Sequence, residues 1–244
     1  MDVLSVQNLT KSFQGSFYEK KKQVLFDISF KVPEKMTTGF VGNNGSGKTT
    51  SIKCVFEFIR RDSGDVLFFG EPLSPQIKKR IGYLPERPYL YEFLTGMEFL
   101  KFHWNLAHVD PKKDFFPRAH SVLKTVGLYE ARDRHLRNYS KGMLQRIGLA
   151  QSLIHEPDFL ILDEPMSGLD PDGRIMVKDI LRLEQKRGVS IFFSSHLLQD
   201  MEELCQHLVV IHLGKILYNG ELTTFVSRYP SLEEAFRSTR KELT

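Results

Sequence analysis

The sequence predicts an α/β fold interrupted by an all-helical insertion over roughly residues 86–155. Three observations support that prediction. Short apolar runs with strand character alternate with helical patterns on both sides of the insertion. Residues 95–153 read mostly as helices. A glycine-rich segment, residues 42–47, is fed by an apolar strand and opens a helix. The 244 residues suffice for one large domain or two small lobes with a hydrophobic core, and 41% hydrophobic against 26% charged residues is an ordinary globular balance.

Taken in order, residues 4–9 alternate apolar and polar side chains, as a half-buried strand does. The polar stretch 14–23 is a predicted loop. Residues 24–32 (VLFDISFKV) resume strand character, and Pro33, Glu34 and Lys35 turn the chain. Residues 38–41 form the apolar strand before the glycines. A helix over 48–60 follows, stopped by Asp62, Ser63 and Gly64. Residues 65–69 and 81–84 are short strands. Thr95 and Glu98 fit a capping box, in which hydroxyl and carboxylate satisfy the first orphan N–H groups of a helix. The helical stretch breaks at Asp110-Pro111 and at Gly127. Strands return at 159–162 (FLIL), 190–193 (SIFF) and 208–211 (LVVI). Between the first two lies a helix over 171–187, with Asp170 to cap it, Pro171 at its first position and Gly188 past its end. A strand pair turns at Gly214-Lys215, and residues 231–234 open a short final helix with a second capping box.

Composition narrows the function classes. Two cysteines, Cys54 and Cys205, are too few for a disulfide framework or a cysteine zinc site. No apolar run approaches the roughly 18–20 residues that span a bilayer. The first residues lack a charged segment followed by an apolar one, so no signal peptide is expected, and cytosolic exposure is. The net charge of +4 is a mild basic lean. Lys20, Lys21 and Lys22 form a run too short, and too bare of aromatics, to mark a phosphate-binding patch, so a solvated loop is the expectation.

Chemistry enters with Gly42-Asn43-Asn44-Gly45-Ser46-Gly47-Lys48-Thr49, which satisfies G-x-x-x-x-G-K-[ST]. A polyphosphate must be wrapped closely by backbone N–H groups, and a side chain beyond Cβ would block that approach. The loop opens a helix whose N-terminal dipole favours negative charge. Lys48 brings positive charge to the β- and γ-phosphates, Thr49 offers a hydroxyl to Mg²⁺, and Thr50 completes the candidate set. With a strand before it and a helix after it, this segment is read as binding a nucleoside triphosphate. The second element is the buried strand 159–162, which ends on Asp163 and Glu164 at the sheet edge where α/β ligands bind. Asp163 is the candidate to hold Mg²⁺ through water, and Glu164 to polarise the water that attacks the γ-phosphate. Alone, two such carboxylates could equally cap the next turn.

Two further segments make the pattern specific. Tyr139-Ser140-Lys141-Gly142-Met143-Leu144-Gln145-Arg146 lies shortly before the acidic strand, and Met166-Ser167-Gly168-Leu169-Asp170 follows it. Over essentially the whole chain this arrangement resembles the nucleotide-binding subunit of an ATP-binding-cassette (ABC) transporter. The resemblance implies a P-loop NTPase with a RecA-like core and an antiparallel β subdomain over 1–85 and 156–229. It further implies an inserted α-helical subdomain over 86–155 and a C-terminal helical tail over 230–244. It implies ATP and Mg²⁺ as cofactors. Ser140 and Gly142 would meet the γ-phosphate held by the opposite subunit, so the working form would be a head-to-tail dimer with itself or with a paralogous ATPase subunit. The implied partner is a separate integral membrane permease, with the chain peripheral on the cytoplasmic face of the cell membrane and no nucleic acid expected. His196 stands in the place of the switch histidine that contacts the γ-phosphate. Asp170 matches a residue that communicates across the dimer, a role compatible with capping. Phe13 stands where an aromatic stacks on adenine, with core packing as the alternative, and Phe17 and Tyr18 follow it in an insertion.

Departures from the family pattern are informative. Residues 81–86 match the strand entering the Q-loop, but Glu86 stands where most members carry Gln. A carboxylate also ligates Mg²⁺. Its charge near the phosphates matters by roughly a few kcal/mol at an effective dielectric of 20, so Glu86 is expected to strengthen metal dependence. The signature carries Lys141 and Met143 in place of the usual Gly and Gln. With the tail residues 232–236 (LEEAF), these features resemble the exporter branch serving antibiotics, drugs, ions or polysaccharides. Seven aromatics lie between Tyr83 and Trp104. They form the helical core, or two or three of Tyr89, Tyr91, Phe93 and Phe102 reach a groove that receives a helix of the membrane partner. A chromosome-type cassette ATPase is disfavoured because no sustained heptads separate Lys48 from Ser140. A ribosome-type regulator is disfavoured because tandem cassettes are absent, and a non-hydrolysing adaptor because Asp163, Glu164 and His196 are intact.

Overall fold

The computed structural model describes residues 1–14, 21–107 and 109–241. Phe17, Tyr18 and Lys20 of the predicted loop lie outside the described residues, as do the last three residues of the tail. The chain forms two compact units, residues 1–73 with 192–244, and residues 74–191.

The first unit opens with β1 (Asp2–Phe13), β2 (Lys22–Pro33), β3 (Thr37–Val41), α1 (Lys48–Val55) and β4 (Ser63–Phe68). β1 is the centre of an antiparallel sheet in the order β2-β1-β4. The alternation of residues 4–7 is the alternation of its faces, with Leu4 and Val6 buried, and a register shift between Val6 and Leu9, where Asn8 takes φ 49°, returns Leu9 to the buried side. β3 is buried at all five positions, as a strand covered on both faces must be. α1 stops at Val55, five residues short of the predicted end. Glu57 takes φ 60°, and the N–H groups of Phe58 and Ile59 both return to the Lys53 carbonyl at 2.9 and 3.3 Å. A left-handed residue with returning N–H bonds ends a helix as glycine commonly does, and a non-glycine in that role leaves no signal in the sequence.

The second unit contains α2 (Pro75–Lys78), β5 (Ile81–Leu84), α3 (Gly96–Leu106), α4 (Phe115–Thr125), α5 (Lys141–Leu153), β6 (Phe159–Asp163), α6 (Pro171–Lys186) and the first residues of β7 (Ser190–Ser195). β5 and β6 run parallel, with Ile81 opposite Phe159 and Leu84 opposite Leu162. The capping box at α3 is complete. Glu98 N–H donates to Thr95 Oγ1 at 3.2 Å, and Thr95 N–H donates to Glu98 Oε2 at 2.8 Å. Those bonds favour the ionised carboxylate, so Glu98 is held below the usual carboxyl range. Phe99, Leu100, Trp104, Leu123 and Leu149 bury the helical core, with Trp104 and Phe115 edge to face at 5.9 Å.

Burial pushes the His103 imidazole in this core down to about 4, and the charge of His155 acts in the same direction. His155 is itself lowered by burial. Between the ordinary histidine value near 6.5 and the depressed one, the unfolded chain binds protons that the folded chain does not. Stability is therefore expected to fall as pH drops through that window. Thermal melts at pH 7 and pH 4.5 check this: His103→Phe should remove about 1–2 kcal/mol of the acid loss, an allowance for partial exposure included. Equal acid losses in variant and wild type would refute it.

The chain returns to the first unit with the rest of β7, then α7 (Leu198–Leu204), β8 (His207–His212), β9 (Lys215–Glu221), α8 (Leu222–Val226) and α9 (Leu232–Lys241). β8 pairs parallel with β3, Val41 opposite Val210, and antiparallel with β9 across a turn in which Leu213 and Gly214 take φ 45° and 75°. Phe30, Phe40 and Phe192 stack with centroids 5.2–5.8 Å apart and form the centre of this core. At α9, Glu234 N–H donates to Ser231 Oγ at 3.3 Å, the hydroxyl half of the second predicted capping box. None of the described helices is long and apolar enough to cross a membrane.

Candidate functional site

In the first unit, β3 ends at Val41 and the chain turns at once into the glycine segment. Ser46 N–H donates to the Asn43 carbonyl at 3.0 Å and Gly214 N–H to the Ser46 carbonyl at 2.9 Å, which ties the loop to the turn between β8 and β9. Gly45 and Gly47 take φ 79° and 111°, backbone that side chains with a Cβ rarely adopt. A Cβ at Gly42 would lie 2.4 Å from the Ile211 carbonyl oxygen, and one at Gly47 would lie 2.8 Å from Leu25 Cδ2. At Gly45 it would meet nothing within 4 Å, so that side of the loop is open. Two of the three glycines are thus required by the protein's own packing, whereas Gly45, Asn43 and Asn44 face solvent.

Lys48 is only 7% exposed, and its Nζ donates to the Gly42 carbonyl at 2.6 Å and the Asn43 carbonyl at 3.4 Å. Two loop carbonyls therefore accept from the ammonium and help hold it over the loop. Ser46 Oγ is buried without a protein partner among the described residues. Thr49 and Thr50 are half-buried in the first turn of α1, which contains no acidic residue to offset the positive end of the helix. An open cradle of loop amides, a poised ammonium and an orphan hydroxyl fit a polyphosphate.

In the second unit, β6 ends on Asp163, 1% exposed, and Glu164 follows in a left-handed conformation at φ 52°. The Glu164 carbonyl accepts from Ser167 N–H at 3.0 Å, a backbone bond that closes the turn. Burial, then the Asp163 carboxylate, push Tyr83 well above the usual phenol range. Ser140 caps α5, its Oγ accepting from Met143 N–H at 3.3 Å, and both Ser140 and Lys141 are exposed. The start of α5 therefore lies at the surface, where first-turn amides have no partner within their own helix.

The segment after Glu164 packs on that helix. Buried Gln145 donates through Nε2 to the Pro165 carbonyl at 3.3 Å. Gly168, at φ 72°, approaches Lys141 so closely that a Cβ would lie 2.7 Å from Lys141 Cε. Gly142 faces Leu169, 3.7 Å from where its Cβ would be. Arg146 donates to the Val126 and Gly127 carbonyls at 3.1 and 3.2 Å, tying α5 to the end of α4. Asp170 Oδ1 accepts from Gly173 N–H at 2.9 Å, which is the capping role. The signature segment predicts no role for Gln145 or Arg146, because a buried amide bracing the acidic loop leaves no periodicity in the sequence.

His196, in the first unit, is exposed just past β7, where Ser195 Oγ accepts from Leu197 N–H at 3.0 Å and turns the chain into α7. A cavity of about 390 Å³ brings His196 together with Gly42 and Asn43 at the start of the phosphate loop, and with Glu233, Phe236 and Arg237 of α9. Phe13 is 42% exposed with Lys11 Nζ 5.0 Å from its ring centroid, so it is available for stacking and is not a core side chain. Glu86 is exposed two residues past β5 in the second unit. The aromatics between Tyr83 and Trp104 divide: Phe99 and Trp104 are core, while Tyr89, Tyr91, Phe93 and Phe102 are 94%, 46%, 68% and 37% exposed. Tyr89, Tyr91 and Phe102 line a groove of about 490 Å³ with Leu90, His103 and Leu106.

The family model described as ABC transporter matches residues 25–167 of this sequence. An uncharacterised ABC transporter ATP-binding protein of Nostoc sp. is 41% identical over 224 residues, covering 90% of this chain and 67% of that protein. The bacitracin transport ATP-binding protein BcrA of Bacillus licheniformis is 36% identical over 219 residues, covering 88% of this chain and 68% of that protein. A solved ATP binding subunit of an ABC transporter superposes with a TM-score of 0.87 at 26% identity, covering 98% of this chain and 99% of that one.

Proposed function

The chain belongs to the ABC transporter family as an ATP-binding, ATP-hydrolysing subunit, and from that premise we propose that it drives export through a separate membrane permease by ATP-dependent closure of a head-to-tail dimer. The observation on which this chiefly rests is the phosphate loop, with Lys48 buried over an open amide cradle. A relative named for bacitracin transport supports the transport role.

In this reading residues 42–50 wrap the phosphates of ATP and Phe13 stacks on the adenine. Mg²⁺, when bound, offsets phosphate charge. Thr49, Asp163 and Glu86 would hold it, a donor set of the sparse oxygen kind that suits Mg²⁺. Glu164 takes a proton from the attacking water and His196 contacts the γ-phosphate. Ser140 and Gly142, at the exposed start of α5, meet the γ-phosphate of the opposite subunit, and Asp170 communicates across the dimer while capping α6. Phosphoryl transfer gains chiefly from positioning and electrostatics, which backbone amides, Lys48 and one carboxylate base supply. Closure pulls on the permease, and release of product charge reopens the dimer. Residues 1–85 with 156–229 serve as the ATP-binding core, 86–155 as the helical arm and 230–244 as the tail. The groove of Tyr89, Tyr91 and Phe102 receives a short helix of the permease, which holds the subunit at the cytoplasmic membrane face.

Gentle detergent extraction of tagged protein from its native membranes tests this reading. A polytopic membrane protein should be recovered in near-stoichiometric amount. Tyr89→Ala with Tyr91→Ala should cut that recovery about tenfold, an affinity loss near 1.4 kcal/mol, with nucleotide binding retained. Recovery of ribosomes or nucleic acid in place of a membrane protein would leave the ATPase and remove the transport function.

A further inference from the structure

The C-terminal helix α9 packs against α7, which begins two residues after His196. Leu232 N–H donates to Glu202 Oε1 of α7 at 2.7 Å. Leu232, Ala235 and Phe236 are 0%, 0% and 7% exposed, the i, i+3, i+4 spacing of a single buried helix face. The next face carries Glu233 and Arg237, both exposed, one turn apart. These two side chains, with Phe236, form one wall of the cavity of about 390 Å³ whose other walls are Val41, Gly42, Asn43, His196 and Leu198. A tail helix thus shares a cavity with the first residues of the phosphate loop and with the histidine beyond β7.

We propose that Arg237 is a positioning residue for His196, and that α9 sets the placement of the histidine segment during hydrolysis. A guanidinium presents its N–H donors in a fixed fork. The wall opposite Arg237 is formed by Gly42, Asn43 and the His196 ring. Phe236 and the Leu232–Glu202 bond fix α9 on α7, so the wall cannot shift without moving the start of α7 and with it His196. This inference deepens the proposed function and rests on His196 acting at the γ-phosphate.

The test uses the purified full chain, with single-turnover ATP hydrolysis, the KM-against-kcat split, nucleotide binding and thermal melts. Arg237→Ala should lower kcat about tenfold while KM for ATP stays within about twofold, the pattern of a group felt mainly in the transition state. Its melting temperature should be unchanged, and Arg237→Lys should recover at least about half the rate. In a double-mutant cycle, adding Arg237→Ala to His196→Ala should slow hydrolysis no further, because the two act as a unit. Wild-type kcat in Arg237→Ala, no rescue by lysine, or multiplicative losses in the double variant would each overturn the inference while leaving the role of His196 standing. Wild-type turnover in His196→Ala would instead remove the role of His196 itself, and the inference with it.

Discussion

Glu164→Gln is expected to bind ATP as the wild type does and to hydrolyse it at least about a hundredfold more slowly, the low end of what a positioned general base contributes. The amide keeps the size of the carboxylate but exchanges one acceptor oxygen for a donating NH2 group and takes no proton from water. The fold should tolerate the change, because the bond from Ser167 N–H to the Glu164 carbonyl that closes the turn after β6 is a backbone bond available to either residue. Glutamine must occupy the same left-handed backbone at φ 52°, at a strain close to that of glutamate. A variant that binds but does not hydrolyse should collect in the closed state. Size-exclusion chromatography with ATP should therefore show dimer where the wild type shows a transient one. Turnover at the wild-type rate would remove Glu164 from the base role, and loss of ATP binding would mean that the residue holds the nucleotide instead.

What was legible in the sequence was what is local. The phosphate loop, the strand ending on Asp163 and Glu164, the Thr95–Glu98 box and the Asp170 cap each depend on residues within a few positions of one another, and all are present as built structures. The strand 38–41 was readable because burial on both faces leaves an uninterrupted apolar run. Two kinds of feature were not readable. One is short or exceptional backbone: the seven residues of α7 and five of α8 are too few to show a period, and the left-handed Glu57 that ends α1 is an ordinary glutamate in the sequence. The other is anything assembled by tertiary pairing. Composition could not divide the aromatics between core and groove, since Phe99 and Phe102, three residues apart on α3, end up 1% and 37% exposed. The same holds for the wall that Arg237 shares with His196, which exists because β3 pairs with β8 and α9 lies on α7.

Lys48→Met should lower the affinity for ATP by at least about thirtyfold while leaving the melting temperature equal or higher. The reason lies in what surrounds the ammonium. Taking an ammonium out of water costs several kcal/mol, and the neutral methionine carries no such cost at this buried position. A triphosphate repays that penalty: two unit charges about 4 Å apart interact by roughly 4 kcal/mol at an effective dielectric of 20, so a loss of 2 kcal/mol or more is the conservative expectation. Methionine keeps the length and most of the volume of lysine and so spares the packing around Gly42, which alanine would not. Two roles for Lys48 then separate cleanly. If it acts as a phosphate ligand, ATP affinity falls, binding of adenosine without phosphates is unaffected, and stability holds. If it acts as a brace that keeps the loop folded through the Gly42 and Asn43 carbonyls, stability falls and every nucleotide and nucleoside is bound less well in proportion. Nucleotide titrations and melts of the same preparations decide between them, and an ATP affinity within threefold of wild type would exclude the ligand role outright.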